Sequence, residues 1–360
     1  MEIAAAVQGV GNHNMLNKLK IWISMKALIV LFNCILLTIG QVSGPILVRI
    51  YFLHGGKRKW LTSWLLTAGC PLLILPITIS FAKNRSKSSL PKFLVPPRLI
   101  ASSAFLGFLL GIDSYLYTFG MSYLPVSVSS LLGSIQLAFT SIFAYFIVKH
   151  KFTHYSINAV VLMTFGSAIL GLHMNGDRPN GESNANYTLG FFMTIGGAAL
   201  HGFIMPALEY AHKKAQVTLT FNLFLQVLLL ISMFATMFCT IPMIINKDFQ
   251  AIPKEAAEFE LGPMKYYMIL ALAGVALQCM MIGSTGVIFS SSSLFGGIVT
   301  SLLVPVQQIF SVICLSEGFS GEKGMALAMC LWGFASYFYG EYKLNHKQPD
   351  IKHEPEHEEV

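Results

Sequence analysis

Long stretches of apolar residues, separated by short polar segments, run along nearly the whole chain. A bilayer core is crossed by roughly 20 apolar helical residues, and ten stretches approach or exceed that length. Because backbone polar groups cannot stay unpaired in lipid, the stretches predict membrane-spanning helices. The alternating segments of a membrane β-barrel are absent. The predicted spans 1 to 10 are 27–49, 62–82, 99–120, 125–148, 155–173, 187–208, 219–245, 266–288, 293–315 and 324–340.

Composition agrees with this all-α membrane pattern. Of 360 residues, 54% are apolar and 11% are charged, whereas a soluble domain carries about 25% charged residues. This excludes a soluble enzyme and a nucleic-acid-binding protein, despite the net charge of +7. The sequence contains no HExxH, GxxxxGK[ST], paired CxxC or GxSxG motif. We therefore expect no enzyme activity, no metal, no cofactor and no disulfide.

Lysine and arginine are unevenly divided between the two sets of connecting segments. With the N-terminus inside, fifteen of the 24 basic residues fall on the inside, which favours two cytoplasmic termini under the positive-inside rule. The basic run at 57–59 on the outside is a contrary signal. We expect a cytoplasmic segment at 1–23, which does not resemble a signal peptide, and a disordered cytoplasmic tail at 343–360.

The two halves of the chain resemble each other when the sequence is shifted by 167 residues. Gly107 then aligns with Gly274, and Gly166 with Gly333. The span boundaries fall in step, with five spans in each half, and an odd number inverts the second copy. Inverted repeats around a central site are typical of transporters. The predicted units are a first five-helix repeat at 24–173, a connecting loop at 174–186 and a second five-helix repeat at 187–342.

Titratable residues occur inside or at the ends of the predicted spans, where they are costly and often functional. Asp113 lies in the middle of span 3, and Glu317 ends span 9. His201 precedes Glu209 in span 6 by about two helical turns. These four residues are candidates for proton coupling. In the alternative interpretation, the two glutamates are interfacial and His201 is a packed neutral imidazole.

Amide and aromatic side chains also recur inside the spans. The candidate substrate-binding amides are Asn33, Gln136, Gln226, Gln278, Gln307 and Gln308. The candidate aromatic residues are Tyr115, Phe139, Phe310 and Trp332, together with Tyr117. Amides and aromatic faces suit a neutral or weakly basic nitrogen ring. Spans 3, 4, 8 and 9 contain no Lys or Arg to pair with an anion. Alternatively, an amide only bonds a neighbouring helix, and an aromatic residue only packs.

Five segments carry a resemblance to a known family. They are GPILVRIYFLHGGKRKW at 44–60, YLY at 115–117 followed by YLPVS at 123–127, QLAF at 136–139, SSSLF at 291–295 and LWGFASYFYG at 331–340. Together they resemble the plant purine permeases over nearly the whole membrane region. The resemblance implies the ten-helix fold of the drug/metabolite transporter superfamily. It also implies proton-coupled uptake of adenine and related bases, cytokinins or, in some members, alkaloids.

Two positions depart from the family pattern. Many members carry Glu in span 7 near Gln226 and in span 9 at Gln308; an amide keeps the hydrogen-bonding shape but carries no proton. We expect a secondary active, proton-coupled importer of purine-like nitrogen heterocycles that works by alternating access in the plasma membrane. One alternative is an importer of alkaloids or vitamin-like amines through the same cavity, without strict proton coupling. Another is a membrane receptor or scaffold that does not transport.

Overall fold

The computed structural model describes residues 2–68, 95–149, 154–172, 183–214, 221–290 and 293–350, and every regular element in these ranges is a helix. The helices are α1 Glu2–Leu53, α2 Lys59–Thr67, α3 Pro97–Tyr123, α4 Val126–Ser134, α5 Gln136–Val148, α6 His154–Leu172, α7 Asn184–Lys214, α8 Phe221–Ile245, α9 Asp248–Glu258, α10 Pro263–Ser290, α11 Ser293–Leu315 and α12 Gly321–Asp350.

Six segments of the described chain are long and apolar enough to cross a membrane: Ala27–Leu53, Pro97–Tyr123, Val126–Val148, Asn184–Ala211, Leu225–Ile245 and Pro263–Val287. Large apolar side chains such as Phe146, Phe165 and Ile244 are exposed on the outside of the bundle, where lipid would cover them. The prediction of an all-helical membrane protein is confirmed. Most of predicted span 2 lies outside the described residues.

Four features differ from the sequence prediction. Span 4 is two helices, α4 and α5, because the chain turns at Ile135, whose N–H bonds the Leu132 carbonyl 3.2 Å away. An additional amphipathic helix, α9, lies between spans 7 and 8. At the two ends, α1 already begins at Glu2, and α12 continues to Asp350, beyond the predicted start of the disordered tail.

Glycines bring several helices into close contact. A methyl group at Gly283 of α10 would lie 2.8 Å from the Asn33 carbonyl oxygen of α1, and one at Gly107 of α3 would lie 2.7 Å from the Ile231 carbonyl oxygen of α8. Small residues permit such close backbone approach between membrane helices. The contacts fix α1 against α10 and α3 against α8, around the interior where α4, α5, α7 and α11 meet.

Candidate functional site

A cavity of about 150 Å³ lies inside the bundle. An engineered apolar cavity of about 150 Å³ binds benzene, so this volume admits a small aromatic molecule. The apolar part of its wall consists of Leu37, Leu66, Leu110, Leu137, Ala198, Met205, Met280, Met281 and Val304. The polar part consists of Gln41, Asp113, Tyr117, Ser129, Ser130, Ser134, Gln136, Thr140, Thr194, His201, Ser284, Thr300 and Gln307. No Lys or Arg is among the described lining residues.

Asp113 and His201 meet at the wall of this cavity. The Asp113 Oδ2 lies 2.7 Å from the His201 Nδ1, and Asp113 is 6% exposed. Gly197, one turn before His201, lies on the face of α7 that packs against α3, where a methyl group would be 3.7 Å from the Asp113 Oδ1, an ordinary van der Waals distance. The pair supplies a carboxylate and an imidazole that can hold or exchange a proton next to a bound molecule.

Two of the predicted amides line the cavity, Gln136 and Gln307. Gln136 is the first residue of α5, just after the turn at Ile135, so the break between α4 and α5 places its side chain beside the cavity. Gln307 is 2% exposed, and its Oε1 has no hydrogen-bond partner. The cavity wall therefore carries amide groups in both halves of the chain.

The other predicted amides lie outside the cavity. Asn33 donates to the Ser290 Oγ at 3.4 Å. Gln278 donates to the carbonyls of Leu65 and Leu66 at 2.7 and 2.9 Å. Gln308 donates to the Ser127 carbonyl at 2.6 Å and the Ser130 Oγ at 3.0 Å, and Gln226 is 2% exposed within α8. In this structure Asn33, Gln278 and Gln308 bond neighbouring helices.

The aromatic candidates also lie away from the cavity, with the exception of Tyr117. Tyr115 stacks on Trp60, with ring centroids 4.0 Å apart at 18°. Phe139 packs against Gly202 of α7. Phe310 and Trp332 are 47% and 68% exposed on the outside of the bundle, where lipid would cover them, and neither lines the cavity.

The two glutamates have local partners. Glu209 forms an ion pair with Lys213, one turn later in α7, at 2.8 Å. Glu317 accepts hydrogen bonds from the backbone N–H groups of Val126 and Ser127 at 2.7 and 2.9 Å. These are two of the unpaired N–H groups that every helix N-terminus leaves, so Glu317 caps α4.

Arg49 lies on the other side of the junction between α3 and α4. It donates from its Nη1 to the carbonyl oxygens of Met121 and Ser122 at 3.1 and 2.8 Å, and it is 4% exposed. Pro125 ends α3, because it holds Leu124 in an extended conformation. A cation at the end of α3 and an anion at the start of α4 match the partial charges of the two helix termini.

Further ionic contacts hold the same end of the bundle. Arg58 bonds Asp248 at 2.8 Å and Glu255 at 3.2 Å, and these acids are 3% and 8% exposed. Burial by itself would lower the pKa of Arg58, but its hydrogen bond to Asp248 and the charges of both carboxylates raise that pKa above the ordinary value. Glu255 also accepts from Tyr51 and Tyr266, so the network joins α1, α9 and α10.

Several lining residues were not singled out from the sequence. The serines and threonines of the wall, and Met205, Met280 and Met281, have no distinguishing signal because such residues are common in membrane helices. Within the described residues, no group of His, Cys, Asp or Glu could hold a metal ion. Five cysteines are free in the described part of the chain, and Cys70 lies outside it.

An all-helical membrane bundle with a small interior cavity, lined by apolar and polar side chains, has the architecture of a carrier for small molecules. The sequence comparisons identify the family. A family model described as purine nucleobase transmembrane transport matches residues 28–347. The chain therefore belongs to the purine permease family; it is a multi-pass membrane transporter and not an enzyme. The resemblance found in the sequence is confirmed.

Relatives match along nearly the whole chain. Purine permease 3 of Arabidopsis thaliana is 42% identical over 338 residues, 93% of this chain and 96% of that protein. Purine permease 2 of the same plant is 41% identical over 339 residues, 90% and 94% of the two chains. One solved crystal structure superposes with a TM-score of 0.54 at 12% identity, over 89% of this chain and 98% of its own, which shows a shared fold.

Proposed function

We propose that the protein imports purine-like nitrogen heterocycles, such as adenine and cytokinins, by proton-coupled secondary transport. The observation that carries the proposal is the cavity wall, on which the Asp113–His201 pair lies together with Gln136 and Gln307 and without a described Lys or Arg. Amides pair with the donors and acceptors of a heterocycle edge. A phosphorylated substrate would require cations, so the wall favours an uncharged or weakly basic ring.

Alternating access would take place between two inverted repeats of five spans each, ten spans in total. Six pairs of cavity-lining residues lie 167 positions apart: Asp113 and Met280, Tyr117 and Ser284, Ser129 and Gly296, Gly133 and Thr300, Leu137 and Val304, and Thr140 and Gln307. Equivalent positions of two copies would face one another across an axis between the halves. Their presence on one cavity wall supports a substrate site at the interface of the repeats.

A reciprocal contact between α6 and α12 supports the same arrangement. A methyl group at Gly166 would lie 3.3 Å from the Ala326 carbonyl oxygen, and one at Gly333 would lie 3.3 Å from the Ala159 carbonyl oxygen. Gly166 and Gly333 are 167 positions apart, as are Ala159 and Ala326. A two-fold axis produces this pattern, in which each partner repeats the other's contact.

Proton coupling would use the pair formed by Asp113 and His201. With one labile proton the pair is neutral overall, and with a second proton it carries a positive charge. Protonation from the side that faces outside, followed by release inside, would bias the direction in which the loaded cavity opens. The distribution of Lys and Arg supports cytoplasmic termini, and we place the protein in the plasma membrane.

A second candidate substrate class is a plant alkaloid or vitamin-like amine. It is favoured by the carboxylate of Asp113 on the cavity wall, next to Tyr117 and three methionines. An ammonium group could replace His201 as the partner of this carboxylate. In that case the amine would compete with adenine for the cavity, and proton coupling would not be strict.

Uptake of labelled adenine and trans-zeatin by a yeast strain deficient in purine uptake tests the proposal. Cells with this protein should accumulate both compounds several-fold better at pH 5 than at pH 8, and a protonophore should abolish the accumulation. Mass spectrometry should find the imported compound unaltered. Competition by alkaloid amines at comparable concentrations would favour the second substrate class.

The outcomes separate the parts of the proposal. Accumulation that is independent of pH and of the protonophore would contradict proton coupling but leave purine transport standing. Absence of accumulation, with the protein at the cell surface, would contradict purine transport. Binding of the labelled compounds without accumulation would indicate a receptor.

A further inference from the structure

Gln307 combines two properties that no other described residue shares. It lines the cavity, and its Oε1 is a buried hydrogen-bond acceptor without a partner. The residue is 2% exposed, so bulk water does not reach most of its side chain. Buried polar atoms in folded proteins are almost always paired, and an exception calls for an explanation. A molecule in the cavity is the partner that this position offers.

Neighbouring polar atoms do not share this arrangement. The Gln308 Oε1 and the Ser127 Oγ are also buried without a partner, but neither residue lines the cavity. Gln308 is held by its own amide nitrogen, which donates to the Ser127 carbonyl at 2.6 Å. Because successive residues of a helix point about 100° apart, Gln307 faces the cavity while Gln308 faces α4.

The two halves of the cavity differ at this position. Thr140 lies 167 positions before Gln307 and lines the same cavity. Its hydroxyl proton is already used, because it donates to the Gln136 carbonyl oxygen at 2.9 Å, while the hydroxyl oxygen can still accept. Of these two equivalent positions, only the α11 position carries a buried amide oxygen without a hydrogen-bond partner. The two equivalent positions therefore offer a bound ring different groups, a hydroxyl from α5 and an amide from α11.

We propose that the Gln307 side-chain oxygen selects ligands that present an N–H group to it, which makes Gln307 a specificity-determining residue of this cavity. The inference rests on the proposed function and adds the direction of recognition. An amide oxygen accepts and cannot donate. A ring edge with an exocyclic amine or a ring N–H satisfies it, whereas an edge without a donor leaves the oxygen unpaired, and sites of this kind discriminate against such analogues.

Binding of three ligands to the purified full-length protein in lipid nanodiscs tests the inference. Adenine carries both an exocyclic amine and a ring N–H, unsubstituted purine lacks the amine, and 9-methyladenine lacks the ring N–H. The wild type should bind one of the two analogues about tenfold less well than adenine. The weaker analogue identifies which N–H is read.

The Gln307→Met variant keeps the length of the side chain but removes the acceptor. It should lose about tenfold in affinity for adenine and should bind the weaker analogue with nearly unchanged affinity, so that the preference disappears. Gln307→Glu, which keeps an acceptor, should preserve the preference. Ile309→Val is the matched control, because Ile309 lies two residues on in α11 and is 59% exposed.

Each result decides the matter. Equal binding of all three ligands by the wild type overturns this inference alone and needs no variant, so a misfolded variant cannot obscure it. A preference that survives in Gln307→Met, or an equal loss for all three ligands, also overturns it. If the wild type binds none of the three, the proposed function fails, and this inference fails with it.

Discussion

The Asp113 Oδ2 and the His201 Nδ1 lie 2.7 Å apart and join α3 to α7 at the wall of the central cavity. The two residues are 88 positions apart in the sequence. Each is unusual in a membrane helix, and their contact gives the buried acid a partner that can be charged or neutral. A group of this kind can couple a proton to whatever occupies the cavity.

We predict that Asp113→Asn uncouples transport from the proton gradient. The amide keeps the shape of the carboxylate but cannot take up a proton, so uptake at pH 5 should fall to the level at pH 8. The expected loss therefore equals the several-fold difference that the wild type shows between pH 5 and pH 8. Exchange of labelled for unlabelled adenine, measured in the same cells, should persist.

The control for Asp113→Asn is Glu258→Gln, which changes an acid whose side chain is 66% exposed at the end of α9. This variant should keep the full difference between pH 5 and pH 8. An Asp113→Asn protein that still accumulates adenine in response to pH would show that the proton is carried elsewhere.

Gln136→Ala should weaken substrate binding without changing the amount of protein at the surface. A neutral hydrogen bond contributes about 0.5–1.5 kcal/mol, so the apparent KM for adenine should rise by about two- to twelvefold. Phe310→Leu is the comparison, because Phe310 lies on the outer surface and its replacement should leave the KM unchanged. Equal KM values for Gln136→Ala and the wild type would remove Gln136 from the binding site.

Glu317→Ala should destabilise α4 and slow transport. The carboxylate caps two N–H groups of α4, and loss of an N-terminal cap costs about 0.5–2 kcal/mol. Because α4 supplies Ser129, Ser130 and Ser134 to the cavity wall, the maximal rate should fall together with the thermal stability of the purified protein. Glu317→Gln, which keeps an acceptor, should fall between Ala and the wild type. An Ala variant with unchanged stability would contradict the capping role.

Arg58→Met should lower stability more than the removal of other surface cations. It leaves the carboxylates of Asp248 and Glu255, 3% and 8% exposed, without their cation. Breaking a buried ion pair costs about 3–5 kcal/mol. Because Arg58 is partly exposed, we expect its replacement to lower the free energy of unfolding by about 3 kcal/mol or less. Thermal unfolding in detergent measures it. Lys254→Met, at a pair 4.0 Å apart and largely exposed, should have no measurable effect.

If the α6–α12 contact is two-fold symmetric, Gly166→Ala and Gly333→Ala should have similar effects. Each new methyl group would lie 3.3 Å from a carbonyl oxygen of the other helix, so the helices must separate by a few tenths of an ångström; where they resist, overpacking costs about 1–3 kcal/mol. Gly318→Ala is the control, since nothing lies within 4 Å of a methyl group there. A large loss for one glycine and none for the other, measured by thermal unfolding, would argue against equivalent contacts.

The neighbouring amides of α11 illustrate where sequence reasoning stops. Gln307 and Gln308 have the same composition and the same hydropathy, and both are buried. Only the packing of α11 against α4 turns Gln307 toward the cavity and commits Gln308 to the Ser127 carbonyl. The rotation of α11 about its axis, which turns the two side chains to different sides, is fixed by helices that are distant in the chain. A local sequence pattern therefore cannot assign their roles.

The sequence by itself determined that this is a membrane protein of the purine permease family and that spans 3, 4, 8 and 9 contain no Lys or Arg. The spans can be recognised without the fold, because lipid solvates each one independently of its neighbours. Tertiary structure alone decided that Asp113 meets His201, that Glu317 caps α4 rather than facing the cavity, and that Phe310 and Trp332 point outward. Those outcomes depend on how each helix is rotated about its axis and packed against its neighbours. The hydropathy of successive residues does not specify that rotation.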